Sequence, residues 1–90
     1  MARHPSAEKR HRQSVKRHHR NQAIRSRVRT FVKRVRESIA SGAVAEATER
    51  LQGATRAIDK AVTKGVLHGN TAARKISRLT LAVRKLSARA

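Results

Sequence analysis

Apolar residues recur at three- and four-residue steps in three stretches of this chain, a period that admits helices and excludes strands. The first stripe holds Ile24, Val28, Phe31, Val32, Val35 and Ile39. The second holds Val44, Ala47, Leu51, Ala54, Ile58, Ala61 and Val62, and the third Ala72, Ile76, Leu79, Val83 and Leu86. Gly42, Gly65 and Gly69 fall between the stretches. Between the glycines the chain is rich in Ala, Arg, Lys and Leu, all strong helix formers. The predicted fold class is therefore all-α, an antiparallel three-helix bundle with short connections.

The boundaries follow from capping chemistry. The first helix is predicted over residues 7–41, with Ser6 as N-cap, Glu8 at the positive end of the macrodipole and Gly42 as the stop. The second is predicted over 43–64. Gly53 is assigned to its outer, polar side, costing about 1 kcal/mol against Ala without disturbing packing. Gly65 suits a left-handed C-terminal cap with Val66 folding back on the last turn. The third runs from Asn70, read as its N-cap, to about residue 87.

The first helix is too long for such a bundle, spanning about 50 Å against roughly 33 and 26 Å for the others. Followed upstream from Ile24, its core stripe becomes Asn21, Arg17, Ser14 and Arg10. Residues 1–23 are thus expected to overhang as a basic arm, ordering as a helix when phosphates neutralise it. Residues 24–90 form the bundle, and the whole chain is one domain.

The charge is +18, from 23 basic and 5 acidic residues among 90. Residues 1–36 hold 13 basic side chains and one acid, residues 37–63 three and four, and residues 64–90 seven and none. Soluble helices normally offset Arg with Glu at four-residue spacing; Glu46–Arg50 is such a pair, but most of the arginines here have no acid so placed. A lone basic run is usually a solvated face; this density calls for a polyanion. Cysteine is absent, so neither a disulfide framework nor a thiolate metal site exists. No apolar run approaches a membrane span. Residues 1–23 fit a targeting peptide in composition, but the basic character continues past them, and the chain reads as cytoplasmic.

With no Trp or Tyr and with Phe31 on the core stripe, the aromatic platforms of single-strand binders are missing. Neither zinc-finger spacing nor a compact helix-turn-helix is evident. Folded RNA or duplex backbone remains, met by cations at phosphates and by Ser, Thr, Asn and Gln at phosphates or 2′-hydroxyls. The candidates on the first helix are Ser6, Arg10, Arg12, Gln13, Ser14, Lys16, Arg17, Arg20 and Asn21, then Arg25, Ser26, Arg27 and Arg29. On the third they are Asn70, Thr71, Arg74, Lys75 and Arg78, with Lys85 and Arg89 beyond. Leu81 falls on the same outer face, where it could pack against a ribose. His4, His11, His18 and His19 have no cysteine or carboxylate cluster beside them, and a backbone-contacting role is the better reading than a metal site. His68 sits in the turn before the third helix, placed to orient that turn or to touch RNA.

The segment Lys64-Gly65-Val66-Leu67-His68-Gly69-Asn70-Thr71-Ala72-Ala73-Arg74-Lys75 resembles the signature turn of the bacterial small-subunit ribosomal protein S-twenty family. Ser6-Ala7-Glu8-Lys9-Arg10, Arg12-Gln13-Ser14, Arg25-Ser26-Arg27-Val28-Arg29-Thr30 and Lys33-Arg34-Val35 resemble the same family, so the likeness covers nearly the whole chain. It implies a three-helix structural constituent of the small ribosomal subunit, monomeric within it. Such a protein binds 16S ribosomal RNA directly, at the 5′ domain and the long penultimate helix, and helps assemble it. It also implies contacts from Ser6, Lys9, Arg10, Gln13, Ser14, Arg17, Arg25, Arg29, Lys33, His68, Asn70, Arg74 and Lys75.

The residues leave two other classes open. A nucleoid-type DNA-compacting protein would share the charge and the lack of aromatics, but would hold duplex DNA as tightly as ribosomal RNA. A cationic helix on a membrane surface would carry Trp or Phe on its apolar face. An enzyme has no candidate: the chain offers no nucleophile–base pair, no Gly-rich phosphate loop, and no metal, cofactor or small-molecule site.

Overall fold

The computed structural model describes residues 5–89 and contains three helices: α1 (Pro5–Ser41), α2 (Val44–Thr63) and α3 (Gly69–Arg89). All three expected helices are present, and among the described residues there is no strand. α1 begins with Pro5 rather than after a Ser6 cap, so Ser6 lies inside the first turn. Proline suits that position, because its missing N–H would have no helical partner there and its φ is already helical.

α1 and α2 run antiparallel, as their cross-contacts show. Arg34 meets Arg50 through a guanidinium–carbonyl bond of 3.1 Å, Phe31 meets Gly53, and Arg20 meets Lys64. As one number falls the other rises by the same step. α2 is the central element and packs against both α1 and α3, while α1 touches α3 least.

Both connections are closed by glycine. Gly42 and Gly65 have φ of 74° and 75°, a region that L side chains enter only at a cost of roughly 1–2 kcal/mol. After α2, the Gly65 N–H donates to the Val62 carbonyl at 2.9 Å and the Val66 N–H to Ala61 at 2.9 Å. Gly42 and Ala43 repeat this at the end of α1, donating to Ile39 and Ser38 at 3.1 and 3.0 Å. The doubly bonded cap satisfies carbonyls that the helix end would strand. Val66 folds back as expected and is buried.

The cap of α3 is not Asn70. The His68 carbonyl accepts the Ala72 N–H at 3.0 Å, and the His68 Nδ1 accepts the Asn70 backbone N–H at 3.1 Å. His68 is therefore the N-cap, an imidazole nitrogen doing what an Asn or Ser oxygen usually does. Replacing His68 with Ala should lower stability by about 1 kcal/mol, read as a melting point roughly 4–8 °C lower. Asn at the same position should restore it; a melting point unmoved by Ala would show that the cap contributes nothing.

The core is narrow. Ala47, Ala54 and Ala61 repeat every seven residues along α2 and are fully buried, as are Val35 and Ile58. Val28, Ala72, Leu79 and Val83 complete it, with Ile24, Val32, Leu51, Ile76 and Leu86 half-buried around them. Small side chains on the central helix let both neighbours approach closely. Ser38 also belongs to this core and is 1% exposed. Its hydroxyl donates to the Arg34 carbonyl at 3.1 Å, which is how a polar group in a helix is buried without an orphaned proton.

Gly53 does not sit on an outer polar face. It is half-buried, and a Cβ built there would lie 3.2 Å from Cε1 of Phe31. Phe31 is correspondingly a rim residue rather than a central one, half-buried against the α2 backbone.

Candidate nucleic-acid interface

Every residue from Pro5 to Arg20 is exposed. At about 100° per residue, Ser6, Lys9, Gln13, Lys16, Arg17 and Arg20 fall on one side of this part of α1, with Arg10 at one margin and Arg12 at the other. His11 and His18 fall opposite. Ser14 lies between the two sets. The arm joins the bundle at Arg20, whose guanidinium donates to the Lys64 carbonyl at 3.4 Å and to Asn21 Oδ1 at 3.5 Å. A cation there also complements the partial negative charge at the C-terminus of α2.

Past Asn21, the basic residues of α1 form one wall of a groove. Arg25, Arg29, Lys33 and Arg36 line it from α1, and Lys75 faces them from α3. Val28, Val32 and Leu67 form its apolar floor, and the single acid along it is Glu37, at the far end. The structure thus gathers four of the sequence-derived candidates, Arg25, Arg29, Lys33 and Lys75. Arg36 was missed, although it follows Lys33 and Arg29 at helical steps of three and seven.

Other candidates stand apart from the groove. Arg74 and Arg78 are exposed on α3 without lining it, and Thr71 is exposed near the helix start. Ser26 accepts a hydrogen bond from the Arg29 guanidinium at 3.4 Å, and Asn21 accepts one from Arg20. Both therefore orient an arginine. His68 and Asn70 are engaged with each other in the cap. Leu81 is exposed on α3 at 53%.

Among the described residues the one ion pair is Glu46–Arg50 within α2, so the cations of the arm and groove are not neutralised internally. No group of three His, Cys, Asp or Glu is placed to hold a metal ion among the described residues. The His18 and His19 rings stand edge-on with centroids 6.1 Å apart, and His4 lies outside the described residues. No described helix is long and apolar enough to cross a membrane.

The profile of the family described as Ribosomal protein S20 matches residues 2–84. A protein of Geobacter metallireducens named small ribosomal subunit protein bS20 is 50% identical over 86 residues, covering 96% of this chain and 99% of its own length. The protein of that name from Agrobacterium fabrum is 52% identical over 98% of this chain and all of its own. One from Helicobacter pylori is 48% identical over 97% and 98%. The relatives span nearly the whole chain and the profile covers the arm, the groove and all but the end of α3, and the chain belongs to the ribosomal protein S20 family, whose members are structural ribosomal proteins and not enzymes.

Proposed function

We propose that this chain binds folded 16S ribosomal RNA directly, in the cytoplasm, as an architectural component of the small ribosomal subunit that helps assemble and stabilise it. The observation that carries this reading is the continuity of unneutralised charge along α1, from the exposed arm into the α1/α3 groove. A groove with cationic walls and an apolar floor accepts a sugar–phosphate strand, phosphates to the walls and riboses to Val28, Val32 and Leu67. The names of the relatives support the ribosome as the setting.

Within this reading Lys9, Arg10, Arg12, Lys16, Arg17 and Arg20 meet phosphates along the arm, with Ser6, Gln13 and Ser14 reaching phosphates or 2′-hydroxyls. Arg25, Arg29, Lys33 and Lys75 hold the strand in the groove, while Asn21 and Ser26 hold their arginines in place. Arg74, Arg78 and Thr71 serve the outer face of α3, and His68 with Asn70 sets the direction of that helix. The 5′ domain and the long penultimate helix of 16S RNA are the proposed partners, bound by a single copy of the chain.

A salt titration tests the reading. With about ten phosphates neutralised, the slope of log K against log salt should lie near −7 to −9. Retention on folded 16S RNA should persist at salt that strips plain duplex DNA. Equal loss of the two would instead identify a DNA-compacting protein.

A further inference from the structure

We propose that a cleft between α1 and the C-terminal half of α2 is a second RNA-backbone site, holding a phosphodiester segment separate from the one in the α1/α3 groove. The inference rests on the reading of the chain as an RNA binder, and it gives near-neutral α2 a share of the interface.

The cleft is walled by three cations, Arg27 from α1 with Arg56 and Lys60 from α2, and no acid lines it. All three are exposed, and none is ion-paired among the described residues. Arg56 and Lys60 are four residues apart and so present their charges on one face of α2. The Arg27 guanidinium rests 5.6 Å from the centroid of the Phe31 ring, a cation–π contact that restricts its freedom before any phosphate arrives. Gly53, lacking a side chain, lets that ring lie against α2 and leaves the cleft open.

The acids of α2 do not cancel this charge. Glu46 and Glu49 line the next cleft along, on the far side of Phe31, with Arg34 and Arg50, and Glu46 is held by Arg50. Asp59 lines neither cleft. The balanced composition of α2 thus hides an acidic N-terminal half and a basic C-terminal half.

The position of the cleft makes its segment distinct. At about 100° per residue, Arg27 and Phe31 lie on one flank of the α1 core stripe and Arg29, Lys33 and Arg36 on the other. A strand in one groove cannot reach the other without passing around the helix. Three converging cations fit a polyanionic backbone, and RNA is the polyanion this surface already meets.

The test compares the full chain with two double variants, Arg56→Gln with Lys60→Gln and Lys33→Gln with Lys75→Gln, on folded 16S RNA. These are exposed positions, so helicity and melting should stay near those of the parent. The α2 variant is expected to bind about tenfold more weakly at moderate salt, with a salt slope shallower by about 1.4–1.8 for two phosphates. It should lose protection at one set of nucleotides, and the groove variant should lose a different set. Arg56→Lys with Lys60→Arg keeps both charges and should restore binding.

An α2 variant that matches the parent in affinity, slope and footprint, while the groove variant weakens, would overturn the second site. That result would leave the cleft to an acidic peptide. Loss of the same nucleotides in both variants would overturn the separate segment. Failure of the unmodified chain to prefer 16S RNA over duplex DNA would overturn the reading beneath both, and it is read before any variant is made.

Discussion

Removal of residues 1–19 is expected to weaken binding to folded 16S RNA by about 100-fold or more at moderate salt and to flatten its salt dependence, because Lys9, Arg10, Arg12, Lys16 and Arg17 leave with them, as does Arg3. The helical bundle should survive. Among residues 5–19 none is buried, so the deletion takes no core contact, and relief of self-repulsion partly offsets the lost helix. The cut is placed before Arg20 because that side chain reaches the Lys64 carbonyl and belongs to the end of α2. Circular dichroism and a filter-binding titration on the truncated chain check both halves of the expectation. Unchanged affinity would remove the arm from the interface.

The second large effect lies in the core. Ile58 is the largest fully buried side chain, and Ile58→Ala should cost about 2–5 kcal/mol. Its neighbours include fully buried alanines, which have no rotamers with which to fill the space. A domain of this size holds only roughly 5–15 kcal/mol in total, and this one also bears strong self-repulsion. The free protein should melt roughly 10–40 °C lower, and added 16S RNA should recover part of that shift by binding only the folded state. Leu81→Ala, at a half-exposed site, should leave melting unchanged. Equal effects at the two positions would mean that the core is not where stability resides.

The helices were legible because their apolar stripes keep the helical period and because glycines stand where left-handed caps are needed. Ser38 was not, since a hydroxyl bonded to the carbonyl of its own preceding turn looks like any polar helix residue until the neighbouring helix is in place. Gly53 was misplaced for a related reason. It lies off the α2 stripe, but α1 leans over that edge and sets Phe31 on it. The His68 cap was hidden by residue type, since histidine is not among the preferred capping residues whereas the nearby Asn70 is. The groove was half visible. The cations at 25, 29 and 33 fall in line at four-residue steps, but nothing local says that Lys75 faces them while Arg74 and Arg78 do not. Arg56 and Lys60 were passed over because the charge of α2 was averaged over its whole length.

The alanines at 47, 54 and 61 have a consequence outside the fold. They hold the molecule to Cα extents of 22 and 15 Å across its long axis, so two RNA strands on opposite flanks of α1 would be kept apart by little more than one packed helix layer. At that separation the strands stand only about two to three screening lengths from each other in physiological salt. The protein would then serve as a spacer as well as a glue, its thickness dictated by three methyl groups. Ala54→Leu would overpack that layer, at a cost of about 1–3 kcal/mol, without touching a single charge.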